Sequence, residues 1–485
     1  MNSLKEKTVN GVFWSFIQNF STQINAFVVG VILARLLSPR EFGLIGMLTI
    51  FIALSSTLVN SGLKDALIRN PDCTEEDYAT AFFFNIAMSV GLYLLLFFSA
   101  GLIADFYDEP KLISLVRVLS LTLIVNAFTL IQKAKLTKEL DFKLLTKVEV
   151  IASVTAGLIA IAMAYYGYGV WSLVAKTLLI SFFTVILYWI WSKWVPKLTF
   201  SKQSFKEMFS FGSRLAALGI IDTIYLNMYY LIIGKYYSAS QLGHYTKAEA
   251  FKNFPSKGIT GIVQKVTYPV LSNIQDDSER LKQAYRKLTK IISLVTITLL
   301  FGLSAVAENF TVLLLGEEWL LTGEFLKILC FSAMFYPLDA LNSNMLKVAG
   351  RSNIILNIGI ARKFMAIPVI LTAIFTGIEP MLYVMILHQF FSFWLMSHYG
   401  GKTIDYGTWA QIKDFVSAVV ISAIMYFLIL FIPLYLELNL LFLLPLQILA
   451  GAIISIVLYE LFNVDGYKYL KETGLEKWVS IKKNK

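Results

Sequence analysis

The chain is divided into one apolar window after another, each about 20 residues long and separated by short charged or turn-forming stretches. A helix rising 1.5 Å per residue crosses about 30 Å of hydrocarbon in about 20 residues, so every window is long enough to span a bilayer. In lipid each backbone N–H and C=O must be satisfied within its own segment, which makes these windows helices. Fourteen are counted, at 11 to 34, 42 to 62, 79 to 104, 112 to 132, 148 to 166, 169 to 192, 209 to 234, 248 to 272, 291 to 307, 322 to 346, 352 to 376, 380 to 397, 414 to 432 and 440 to 462. Composition agrees: 57% of the 485 residues are hydrophobic and 15% charged, against about 45–50% and about 25% in soluble domains. The first window follows "MNSLKEKTVN" without a small-residue cleavage site, so it reads as a retained helix.

Loop charge tests the count, because cytoplasmic loops carry excess Lys and Arg. With both termini inside, the cytoplasmic segments collect 28 Lys and Arg and the outer loops only five: Arg35, Arg40, Lys111, Lys235 and Lys247. The first outer turn, "ILARLLSPREFGLIG" from Ile32 to Gly46, is echoed 200 residues later by "IIGKYYSASQLGHYT", pairing Ile32 with Ile232, Arg35 with Lys235, Ser38 with Ser238 and Gly43 with Gly243. That offset spans six helices, so the halves share one orientation, as in parallel-repeat transporters. The expected architecture is an all-α polytopic membrane protein with two six-helix lobes, 1–200 and 201–400, around a central cleft. Two appended helices (401–465) and a basic cytoplasmic tail (466–485) complete it.

Nine Lys and Arg fall inside the windows: Arg117, Lys176, Arg214, Lys252, Lys257, Lys265, Lys327, Arg362 and Lys363. Arg117, Arg214, Lys265 and Lys327 sit near span ends and can snorkel to the headgroups. Lys176 and Lys252 are intermediate. Lys257, Arg362 and Lys363 lie near mid-span, where a lipid-facing charge costs at least about 2.5–3.5 kcal/mol, so they are expected to face an aqueous cleft. The clearest embedded acids are Asp222 and Asp339. Each either neutralises a buried Lys or Arg or binds a coupling proton or Na⁺. More cations than anions in a cleft suits a phosphate or diphosphate.

Along the first helix Ser15, Gln18, Thr22 and Asn25 share one face, with Asn19 and Gln23 beside them. Two readings stay open for Gln18 and Asn25: a wet lining for sugar hydroxyls, or polar contacts holding membrane helices together. Pro255, between Lys252 and Lys257, predicts a bend in the eighth span. Cys73 lies in a loop and Cys330 in an apolar window, so no disulfide or CxxC metal site is expected. His244, His388 and His398 form no metal-ligand spacing, and His388 beside Gln389 reads as helix packing. There is no GxxxxGK[ST] phosphate loop, so direct ATP drive is not expected.

Five stretches in order resemble Wzx-type oligosaccharide flippases, the polysaccharide biosynthesis and O-antigen or colanic-acid exporters of the superfamily that also holds multidrug extruders and the lipid II flippase. They are "ARLLSPREFGL" (Ala34 to Leu44), "LTKELDFKLL" (Leu136 to Leu145), "GHYTKAEAFKNFPSKGITGIVQKVTYPVLS" (Gly243 to Ser272), "LLLGEEW" (Leu313 to Trp319) and "PLDALNSNMLKVAGR" (Pro337 to Arg351). The resemblance implies export of sugar repeat units on an isoprenoid diphosphate from the inner to the outer face of the bacterial cytoplasmic membrane. The partners it implies are this lipid-linked oligosaccharide, membrane lipids and the polysaccharide polymerase machinery, with no nucleic acid and no cofactor beyond a coupling H⁺ or Na⁺. It fixes no substrate contacts. A multidrug extruder would have twelve helices and an acidic cleft. A membrane polymerase or ligase would carry a large outer loop, whereas the outer loops here are about 15 residues or fewer. A scaffold would have its buried charges mutually paired.

Overall fold

A computed structural model describes residues 2–60, 62–192 and 194–472, so Lys193 and the tail from 473 lie outside the described residues. By contacts the chain separates into two units, Met1–Thr246 and Lys247–Lys485. The division at residue 200 above is one of sequence repetition, and this one is of packing.

The first unit holds α1 (Asn2–Leu36), α2 (Pro39–Asn60), α3 (Leu63–Arg69), α4 (Glu75–Tyr107), α5 (Leu112–Leu119), α6 (Leu121–Ala127), α7 (Leu130–Lys138), α8 (Phe142–Tyr165), α9 (Val170–Trp191), α10 (Lys202–Tyr236) and the start of α11 (Ala239–Ser272). Helix starts follow capping chemistry: Thr74 and Asp77 form a reciprocal capping box on α4, and Asp141 accepts from the Leu144 N–H on α8. The helix α1 packs on α8, α8 on α9, and α10 on α2. The window at 112–132 is broken into α5, α6 and α7, with a 42° bend between Ala127 and Leu130. Carbonyls near that break find side-chain donors: Ala127 accepts from Asn85 Nδ2 at 3.3 Å and Phe128 from Trp189 Nε1 at 3.0 Å.

The second unit contains the rest of α11, α12 (Ser278–Ala305), α13 (Ala307–Leu315), a 3₁₀ turn (Glu317–Trp319), α14 (Leu320–Ala333), α15 (Tyr336–Val348), α16 (Ser352–Met365), α17 (Ile367–Phe375), α18 (Ile378–Lys402), α19 (Thr408–Tyr435) and α20 (Leu440–Leu461). Two expected windows, 322 to 346 and 352 to 376, are each divided. Pro337 and Pro368 stand in the first turns of α15 and α17, where a missing N–H is tolerated, and a helix reaching them from the N-terminal side would lose a bond there. By contrast α11 runs unbroken through Pro255 and Pro269.

Large apolar side chains such as Phe98, Leu102, Leu434 and Phe442 stand outside the cores, 66–77% exposed, the inversion expected when the surrounding solvent is lipid. Among the described residues twelve helical runs are long and apolar enough to cross a membrane, thirteen with the bent pair 112–138 counted as one span. The expected fourteenth is α11, which is 34 residues long but carries Lys247, Glu249, Lys252, Lys257 and Lys265 and so falls short of that apolarity.

Candidate substrate and ion sites

In the first unit the polar face of α1 is turned onto α8. Gln18 Nε2 donates to Glu149 Oε2 at 2.6 Å, and Asn25 Nδ2 donates to Ser153 Oγ at 3.0 Å. One further step along the same seam, a Cβ on Gly157 would lie 2.7 Å from the Val29 side chain, so glycine permits the close approach there. Thr22 returns its hydroxyl to the Gln18 carbonyl at 2.7 Å. Gln18 and Asn25 thus each make a helix-to-helix contact. Glu149 also lies 3.5 Å from Lys133 Nζ. Lys176, half-buried on α9, has no hydrogen bond or ion pair among the described residues. Asp222 is exposed on α10.

The two echoed turns meet inside this unit. Ser38 and Ser238 both precede a helix, each with its capping partner three residues on: the Ser38 N–H donates to Glu41 Oε2 at 2.9 Å and the Ser238 N–H to Gln241 Oε1 at 3.3 Å. Their glycines touch backbone reciprocally. A Cβ on Gly43 would lie 1.6 Å from the Ala239 carbonyl oxygen, and one on Gly243 would lie 1.8 Å from that of Pro39. Only hydrogen fits at either position. Nearby, Arg40 grips Glu109 through two 2.9 Å bonds, and Lys235 Nζ donates to the Phe106 carbonyl at 2.6 Å.

In the second unit Asp339 on α15 is the hub of a buried polar cluster. Its Oδ2 accepts from Arg362 Nη2 on α16 at 3.0 Å, and from Gln389 Nε2 and Ser392 Oγ on α18 at 2.8 and 3.1 Å. Asp339 Oδ1 and Arg362 Nε are buried without a partner. The Arg362 carbonyl lies 3.1 Å from His388 Nε2 on α18. Arg362 is thus engaged by an acid on a neighbouring helix. Lys363 beside it is half-buried.

Lys252 is 1% exposed, 3.7 Å from Glu249 and over the Tyr336 ring at 5.5 Å. One turn on, Lys257 is exposed and has no hydrogen bond or ion pair among the described residues. Within this unit, then, Asp339 and Arg362 are brought together, whereas Lys252 has its own partner and Lys257 none.

Several functional-looking residues escaped the sequence reading. Glu149 and Ser153, one turn apart at the start of an apolar window, supply the α8 side of the α1–α8 seam. A second buried network joins the Tyr285 hydroxyl to Asn342 Oδ1 at 2.6 Å and Asn342 to Gln411 at 3.1–3.2 Å. Asn344 Nδ2 reaches Thr267 Oγ1 on α11 at 2.8 Å. No group of three or more His, Cys, Asp or Glu placed to hold a metal occurs among the described residues.

Residues 32–323 match the family described as polysaccharide biosynthesis protein. The chain is similar to the lipopolysaccharide biosynthesis protein WzxC of Escherichia coli (strain K12), 28% identical over 377 residues, which are 76% of this chain and 75% of that protein. It is also similar to the teichuronic acid biosynthesis protein TuaB of Bacillus subtilis (strain 168), 27% identical over 357 residues, covering 73% and 74%. Among solved structures it resembles the lipid II flippase MurJ in an inward closed conformation, with a TM-score of 0.75, 14% identity and coverage of 93% and 98%. At that identity the likeness establishes the fold, an all-α polytopic one of the MurJ type.

Proposed function

Because the chain belongs to the polysaccharide biosynthesis protein family, we propose that this multi-pass transporter flips sugar repeat units linked to an isoprenoid diphosphate from the inner to the outer face of a bacterial cytoplasmic membrane. It is a transporter of this family rather than an enzyme. In this reading α11 is a fourteenth span, both termini are cytoplasmic, and two six-helix lobes in parallel repeat work by alternating access, with α19 and α20 appended.

The observation that carries the reading is Lys257, an exposed ammonium group on α11 with no hydrogen bond or ion pair among the described residues. Facing lipid would cost about 2.5–3.5 kcal/mol, so water or an anionic ligand is the better neighbour. Lys176 supports the reading in the same way. The diphosphate meets Lys257 and Lys363, with Lys252 adding positive potential, and Lys176 is a separate candidate contact in the first unit. Arg362 joins them on release from Asp339, and Asp222 and Asp339 are the candidates for a coupling H⁺ or Na⁺. With the interior negative, moving anionic charge outward is downhill by about 2.3 kcal/mol per charge per 100 mV.

The test is a reconstituted flipping assay with candidate lipid-linked glycans, run with and without pH and Na⁺ gradients. Lys257→Ala and Lys363→Ala, with membrane insertion verified, abolish export in a complementation strain. Normal export from both overturns the cationic site.

A further inference from the structure

Outside the residues assigned above, the second unit carries a groove of about 450 Å³ between α19 and the chain that follows α20. Val416, Val420 and Ile424 stand at i, i+4 and i+8 on α19 and form a single apolar track, each 39–52% exposed, with Phe462 also lining it. The way the chain leaves α20 keeps this track open. Asn463 takes a left-handed conformation, φ 51°, and the Val464 N–H returns to the Tyr459 carbonyl at 3.1 Å, so the helix ends in an abrupt reversal. The next residues are pinned to α12: Lys290 Nζ donates to Asp465 Oδ2 at 2.6 Å, and a Cβ on Gly466 would lie 2.7 Å from the Lys290 carbonyl oxygen. Drawn onto α12, they do not cover the α19 face.

Charge marks one end of the track. Asp465 is the one charged residue among those lining the groove, and its half-exposed carboxylate keeps Oδ1 without a hydrogen bond among the described residues. Asp414, the other carboxylate on Lys290 at 3.4 Å, is by contrast occupied by Arg286 and by the Tyr406 hydroxyl. Lys413, one turn before Val416 on the same face of α19, and Lys468, one turn beyond Asp465, are exposed, and their ammonium groups have no hydrogen bond or ion pair among the described residues. We propose that the groove holds one phosphatidylethanolamine of the surrounding bilayer. One acyl chain lies along Val416, Val420 and Ile424, the lipid ammonium donates to Asp465 Oδ1, and Lys413 and Lys468 flank the phosphate. Phosphatidylglycerol offers the same chains and phosphate but no cation, and its net negative charge meets Asp465 unfavourably. Such binding needs a bilayer around the chain and is independent of what the chain transports.

The full chain, stripped of lipid in detergent, is titrated with dioleoyl phosphatidylethanolamine and with dioleoyl phosphatidylglycerol, and bound lipid is read by native mass spectrometry. Phosphatidylethanolamine should bind about tenfold more tightly, the gain expected for one charge-assisted bond. Asp465→Asn should erase that preference while leaving phosphatidylglycerol no weaker, and Asp465→Glu should restore it. Lys290 keeps Asp414 in Asp465→Asn, so its ammonium is not left buried and uncompensated, and an unfolding temperature measured without lipid checks that the variant folds. Val420→Trp, which fills the track, should weaken both lipids alike, and Lys413→Gln with Lys468→Gln should do the same through the shared phosphate. Equal affinity for the two lipids in the unaltered chain overturns the proposal, as does a preference that survives Asp465→Asn. Removal of residues 473–485 should leave the preference unchanged; binding that appears only after their removal would assign the groove to the chain's own tail and overturn the lipid as its occupant.

Discussion

Gly43→Ala tests the reciprocal contact between the two echoed turns. The added Cβ would sit 1.6 Å from the Ala239 carbonyl oxygen, and ordinary contact begins at 3.4 Å, so the turns must part by about 1.8 Å. Both atoms belong to backbone, so no rotamer change relieves the clash. Overpacking of this kind costs about 1–3 kcal/mol, which multiplies the population of parted turns by about 5 to 150. Leu242, fully buried and in contact distance of any Cβ placed on Gly46, reports the parting once replaced by Cys in a chain whose Cys73 and Cys330 are changed to Ser and Ala. In detergent, maleimide labelling of Leu242→Cys should accelerate by that factor when Gly43→Ala is added, and likewise with Gly243→Ala. The two together should give less than the product of the single effects, because both open the same gap. Gly258→Ala, where a Cβ meets nothing within 4 Å, is the neutral control. Labelling of both glycine variants at the control rate would refute the close-contact reasoning.

Three further outcomes follow from the polar clusters and the cysteines. Arg362→Met, which leaves the Asp339 carboxylate buried and uncompensated, should cost about 3–5 kcal/mol in unfolding in detergent, and Asp339→Leu added to it should recover most of the loss. Asn342→Leu removes the partner of both the Tyr285 hydroxyl and Gln411, and should lower stability by about 2–5 kcal/mol, more than Tyr285→Phe does. Burial pushes the Cys73 thiol above its ordinary value of 9.0, so it is protonated at neutral pH. Its alkylation rate should keep rising as pH passes 9 while Cys330, fully buried, stays unlabelled until the protein unfolds. A Cys73 rate that levels off below pH 9 would contradict that direction.

Which windows are helices was legible in the sequence because apolar length alone decides it. Where those helices break was only partly legible. Pro337 and Pro368 sit at breaks, yet Pro255 and Pro269 lie within an unbroken helix, so proline without its packing partners does not locate a break. The bend near Phe128 has no proline, and its side-chain donors come from Asn85 and Trp189, 42 and 61 residues away. Charges were legible as to depth and not as to partner. Arg362 and Asp339 are 23 residues apart and Gln18 and Glu149 are 131 apart, so pairing is set by helix packing that no local pattern encodes. Lys257 is the opposite case: its depth marked it, and packing gave it no partner among the described residues.

The Asp339 and Arg362 pair also bears on how the chain enters the bilayer during synthesis. An Arg or Asp at the centre of a helix released alone into lipid costs about 2.5–3.5 kcal/mol, and α15 and α16 would each bear that cost if inserted singly. Held together until Arg362 has found Asp339, the two helices leave the insertion machinery with their opposite charges paired. Gln389 and Ser392 on α18 supply the remaining donors only after the following span has emerged. If insertion follows that cost, this part of the protein should enter the membrane as a hairpin awaiting its third helix, and truncation before Gln389 should leave it trapped or degraded at that stage.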